Sequence, residues 1–161
     1  MRELRIRRAV LDGIEQAARE DYPEEACGFL LSAAVEPDGP VRTIVAAEPA
    51  PNEVDQERGR RFVISAEGLR SAELLAASRD EAVTGFYHSH PDHPAAPSAF
   101  DTAHAWPWYT YVVVAVDRRG ACQVGAFELA REGGRFAACP LTVEPGPPEE
   151  RPVPTPLPED R

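Results

Sequence analysis

One run constrains the fold of this chain more than any other: AVTGFYHSH (residues 82–90), almost uncharged and closing on two histidines. Its density of β-formers and its place after a helical segment fit a buried strand. His88 and His90 are two residues apart, and on a strand that spacing sends both imidazoles to the same face. The strand end then opens into HSHPDHPAAPSAFD (88–101), where His93 joins the pair. The whole chain has only four histidines, so three within six residues call for a shared cause. A chelating pair at a strand end, where sites tend to be built, is the chemical reading.

A third ligand has to come from the loop or from the helix after it, and Asp92, His93, Asp101 and His104 are the candidates. PSAFDTAHAW contains Ser98 followed by Asp101, an S-x-x-D helix start. A helix from there runs to about Trp106, ahead of Pro107. Asp101 falls in its first turn and His104 one turn later on the same face. Capping alone explains Ser98 and Asp101 equally well at this stage. Two histidines and a carboxylate form a common catalytic zinc set, with a fourth position left for water. Zinc brings the pKa of that water toward ~7, and the chemistry then needs a general base, expected to be a carboxylate from elsewhere in the chain.

The remaining pattern is that of an α/β layer fold around a mixed sheet. Val10, Leu11, Ile14, Ala17 and Ala18 give residues 8–20 a helical apolar face, and Pro23 ends that helix by Tyr22. ACGFLLS (26–32) reads as a buried strand, and GPVRTIVAAE, after the Pro-Asp-Gly turn at 37–39, as its hairpin partner. Residues 49–61 are polar and proline-rich, a loop. RFVIS (61–65) reads as a short strand. Ser65 is a good N-cap for a helix over 66–80 with Leu69, Ala72, Leu75 and Ala76 inward. YTYVVVAVD and CQVGAFELA are two clear strands joined by the turn RRGA. Beyond Leu141 the proline density implies an extended tail, and the domain boundary is placed at 144, leaving 145–161 outside the fold.

The 161 residues suffice for one domain with a real core. A net charge of −10 argues against a nucleic-acid backbone or an anionic membrane surface as partner. Cys27, Cys122 and Cys139 form no CxxC pair and leave one over in any disulfide scheme, which fits a reduced compartment. With no signal-peptide core and no apolar run of ~18 residues, a cytoplasmic protein without membrane spans is expected.

HSHPDHPAAPSAFD fits H-x-H-x(10)-D with a serine three places before the acid, and so resembles the JAMM (MPN+) signature of the Mov34/JAB zinc metallopeptidases. Upstream, PEEACGFLLS is similar to the family's P-x-E-x-C-G strand entry. The resemblance covers about 8–130 and looks most like the small stand-alone prokaryotic members. It implies the MPN (cytidine-deaminase-like) fold and assigns His88, His90 and Asp101 as Zn2+ ligands. It makes Glu25 the general base and then acid, and Ser98 the residue that stabilises the oxyanion. The pattern selects Glu25 over Glu24, while His93 and His104 are left as a loop residue at the site's mouth and a nearby helix-face residue. The implied substrate is a ubiquitin-like or sulfur-carrier protein ending in Gly-Gly, cut after that glycine. A zinc hydrolase that releases cysteine or another small amine from a carrier or conjugate is the alternative, and a non-catalytic scaffold of the same fold is a third reading.

Overall fold

A computed structural model describes residues 2–34, 38–53, 63–129 and 134–146. Among these, β1 (Glu3–Arg7), α1 (Arg8–Asp21), β2 (Cys27–Ala33), β3 (Val41–Ala50), α2 (Ala66–Ser78), β4 (Glu81–Pro91), α3 (Ala99–His104), β5 (Thr110–Val116), β6 (Cys122–Leu129), β7 (Phe136–Ala138) and β8 (Leu141–Glu144) follow in order. The strands form one sheet in the order β7-β6-β5-β4-β2-β3-β1-β8. It is mixed: β1 runs parallel to β3 and β8, and β4 parallel to β5, while the other pairs are antiparallel.

The alternation of side chains across the sheet assigns its two faces. Leu30, Tyr87, Val112 and Val114 join Leu11, Ile14 and Ala18 of α1 in one core. Phe29, Leu31, Phe86 and Tyr111, each one residue out of step, join Ala72 and Ala76 of α2 in the other. The α/β expectation of a mixed sheet flanked by helices is therefore correct. β4 sits near the middle of the sheet, and its burial is almost continuous from Val83 to Pro91, which is why the histidine pair ends up inside the protein. Close packing at this level leaves no room at Gly28, where an added Cβ would lie 2.3 Å from the Glu48 carbonyl oxygen and 2.4 Å from Tyr87.

Several expectations need correction. β1 is absent from the sequence reading. Its E-L-R-I-R alternation buries Leu4 and Ile6 completely and turns the charges outward. The region beyond Leu141 begins with β8, whose parallel register on β1 runs from Leu4↔Leu141 to Arg7↔Glu144. The rest of the expected tail, 147–161, lies outside the described residues. Of the expected strand at 61–65, Val63–Ser65 has no strand pairing, and the other two residues lie outside the described set. Leu75 is 36% exposed, so α2 packs through Ala72 and Ala76 instead. α3 stops at His104, two residues short of Trp106.

Candidate metal centre

Phe86, His88 and His90 share the α2 face of β4, and His88 stands opposite Cys27 of β2 and Val113 of β5. Both histidines are buried, at 1% and 5% exposure. α3 brings the carboxylate. Ser98 Oγ accepts from the Asp101 backbone N–H at 3.1 Å, and Asp101 Oδ2 accepts from the Ser98 N–H at 2.8 Å, a reciprocal capping box. That box turns Asp101 inward, where Oδ2 lies 3.0 Å from His88 Nε2 and 3.1 Å from His90 Nε2; the two Nε2 atoms are 3.1 Å apart. Capping and site geometry thus use the same two residues.

Three donor atoms forming a triangle with sides of 3.0–3.1 Å fit a small cation well. Ligands at 2.0–2.1 Å in a tetrahedral zinc site stand ~3.3–3.4 Å apart, so only a few tenths of an ångström of movement separate the two. Tautomer logic points the same way. His90 Nδ1–H donates to the Pro94 carbonyl at 2.8 Å, which leaves the lone pair of the neutral ring on Nε2, aimed at a carboxylate oxygen and a second imidazole. Among the described residues, His88, His90 and Asp101 are the one group of three or more such side chains able to hold a metal ion. Burial alone would raise the Asp101 carboxyl, but bonds to His88 and His90 and the capping N–H outweigh it and hold Asp101 far below the usual range. Burial dominates at His88 and lowers it; at His90 burial also opposes the charge, but the bonds to Asp101 and Pro94 prevail and raise it.

Glu25 reaches the centre from the residues just before β2, beside His90. It is 2% exposed, and its Oε1 lies 3.9 Å from His90 Nε2, whereas Glu24 is exposed. Burial pushes the Glu25 carboxyl up to about 8, against the opposing pull of His90. What holds Glu25 there is a residue the sequence reading passed over. Ser89, between the two histidines and facing the other way, accepts from the Ala26 N–H through Oγ at 2.8 Å and donates its own N–H to the Ala26 carbonyl at 2.9 Å. The pair pins the residue after Glu25 to the strand that carries the histidines. Serine in H-S-H was the available signal, since a polar residue on the inner side of a buried strand needs a partner.

The other candidates fall outside the triangle. His93 is exposed. His104, also exposed, bonds the Phe100 carbonyl through Nδ1 at 2.8 Å and stacks on the Phe100 ring. Asp92, at φ 56°, accepts from Tyr22 Oη at 2.6 Å. Asn52 bridges the Val63 N–H and the Glu25 carbonyl, at 3.0 and 3.5 Å. The three cysteines are free thiols, and no helix among the described residues is long and apolar enough to cross a membrane.

A buried two-histidine, one-aspartate cluster at the end of a central strand defines an α/β protein with a site compatible with a metal ion. More particularly, residues 7–127 match the family of prokaryotic homologs of the JAB domain, and the chain belongs to it. A Haloferax volcanii protein named desampylase is 35% identical over 114 residues, which are 70% of this chain and 78% of that one. The solution structure of a Salinibacter ruber protein is 36% identical, covers 92% of this chain and 95% of its own, and superposes with a TM-score of 0.66. That of a Desulfitobacterium hafniense protein, at 22% identity and a TM-score of 0.76 over 89% of this chain and 94% of its own, shares the fold.

Proposed function

We propose that this chain is a zinc-dependent JAB-domain hydrolase that cuts the amide bond after the C-terminal glycine of a ubiquitin-like or sulfur-carrier protein. The observation that carries the reading is the convergence of His88, His90 and Asp101 with the buried Glu25 beside them, whose Oε2 has no hydrogen-bond partner among the described residues. Burial raises the affinity of this carboxylate for protons, which suits it to acid–base work. The desampylase name of the haloarchaeal relative supports removal of an attached modifier.

Zinc held by His88, His90 and Asp101 would supply a Lewis acid and bring water within reach of ionisation near neutral pH. Glu25 takes the proton of the attacking water and returns it to the departing amine. A cation held there would oppose the burial that raises the Glu25 carboxyl and would favour its ionised, proton-accepting form. Ser98 Oγ spends a lone pair on the Asp101 N–H, which leaves its own proton to donate to the oxyanion of the substrate carbonyl. The Pro94 carbonyl fixes the His90 tautomer, and Ser89 keeps Glu25 in register with the histidines.

The test is hydrolysis of a Gly-Gly-ended carrier fused through its terminal glycine to a reporter, with zinc-loaded protein and beside a panel of small cysteine and amine conjugates. Release of the reporter from the carrier supports the reading. Turnover confined to the small conjugates would replace the substrate, and no turnover with one bound zinc per chain would reject the enzyme.

A further inference from the structure

A cavity of about 360 Å³ lies against the centre, between α3 and the segment Val63–Ile64. Phe86 and Tyr111 line its floor, and Phe100, His104 and Trp106 its wall, while His88 and Asp101 form its inner end. The rings are mutually ordered: Phe86 stacks on Tyr111 at 5.6 Å and meets Trp106 edge-on at 6.0 Å, and His104 covers Phe100 at 4.0 Å. Tyr111 Oη accepts from the Trp106 N–H at 2.8 Å, which anchors the backbone at the rim. Trp106 nevertheless leaves 50% of its surface exposed. The size is that of a small ligand site, and among the described residues its lining apart from His88, Asp101 and His104 is aliphatic or aromatic.

The cavity also has a side. His90 and Glu25 take no part in its lining, and Glu25 approaches the centre at His90. If Glu25 returns the proton to the departing amine, that nitrogen lies on the Glu25 side. The other substituent of the scissile carbonyl, the acyl chain, then points toward His88 and Asp101 and into the cavity.

Resting on the proposed hydrolysis, we infer that this cavity is a specificity pocket for one aromatic side chain on the acyl side of the scissile bond, with Phe100 and Trp106 as its specificity-determining residues. The donors at its inner end are at most 6% exposed, so the residue at the bond itself must be small and the aromatic one must precede it. A ring in such a cavity gains edge-to-face contacts beyond its buried area, which an aliphatic side chain of equal area does not.

Two readouts test this. The first is kcat/KM on peptide amides that end in Gly or Gly-Gly and carry Phe, Leu, Ala or Lys just before the glycines. Phe should exceed Ala by about a hundredfold and Leu by about tenfold, and W106A should bring the Phe-to-Ala ratio down by at least tenfold. Leu74→Ala, on the exposed face of α2, should leave the ratio as it is. The second is binding of the uncleavable product acid acetyl-Phe-Gly-Gly, followed by isothermal titration calorimetry, which needs no turnover. Phe-dependent binding lost in W106A without any cleavage would keep the pocket and reject the hydrolase. Cleavage with equal rates for Phe and Ala, or a ratio unchanged in W106A, would overturn the pocket and keep the hydrolase.

Discussion

Ser98→Ala removes an oxygen that caps α3 and that, in the proposed mechanism, also donates to the oxyanion; the two losses differ in size. Oγ caps α3 through the Asp101 N–H, and losing such a cap costs ~1 kcal/mol. In a protein of 161 residues that lowers Tm by about 2–4 °C. α3 has only six residues, so part of the cost falls on Asp101 itself. Even if all of it does, ~1 kcal/mol weakens metal binding about fivefold, which excess zinc overcomes. The loss of an oxyanion donor, by contrast, lowers kcat by about 10²–10³. The assay is kcat at saturating zinc together with thermal unfolding, for Ser98→Ala and Ser98→Gly. Glycine gives up only a few tenths of a kcal/mol as an N-cap, so Ser98→Gly should melt close to the parent and yet be as slow as Ser98→Ala. A kcat within tenfold of the parent in either variant, or a rate that recovers with stability in Ser98→Gly, refutes the chemical role and leaves Ser98 a cap.

Ser89→Ala orphans the buried Ala26 N–H; unfolding should be easier by ~1–3 kcal/mol, and kcat should fall with zinc content unchanged, as metal analysis beside denaturant unfolding will show. Arg42→Met should cost ~1–3 kcal/mol, read as a fall in denaturation midpoint, because Nη1 donates to the Thr84 and Trp108 carbonyls and to Thr110 Oγ1 in the interior. We also propose that the fold is complete without 147–161: ending the chain at Gly146 should leave Tm within a few degrees, whereas ending it at Pro140 removes β8 from the edge beside β1 and should lower Tm by much more.

Much of the site was legible because its parts are local in sequence. H-x-H on a strand and S-x-x-D at a helix start carry their local geometry in their spacing, which put His88 and His90 on one face and left Asp92, His93, Asp101 and His104 as candidates for the third place; the choice of Asp101 came from the family resemblance. The choice of Glu25 over Glu24 came from the family pattern, and burial of the one and exposure of the other agree with it. What stayed hidden is what long-range pairing decides. β1 is five residues with charges at every second position, and β8 follows a proline and precedes many more; neither has periodicity long enough to stand out, and they become strands through pairing with distant segments, β1 on β3 and β8 on β1. Val63 and Ile64 have strand-like composition but line the cavity beside the centre instead of pairing. The Pro94 carbonyl that sets the His90 tautomer is a backbone atom, and no residue type announces it.

The most direct measurement is the turnover of Glu25→Gln at full zinc occupancy. Glutamine keeps the size and hydrogen bonding of the side chain but cannot take the proton. With His88, His90 and Asp101 intact, the variant should hold one zinc per chain and hydrolyse the Gly-Gly-ended carrier about 10²–10⁴ times more slowly than the parent. A zinc-loaded Glu25→Gln protein that works within tenfold of the parent rate, or one that no longer binds zinc, would contradict the account.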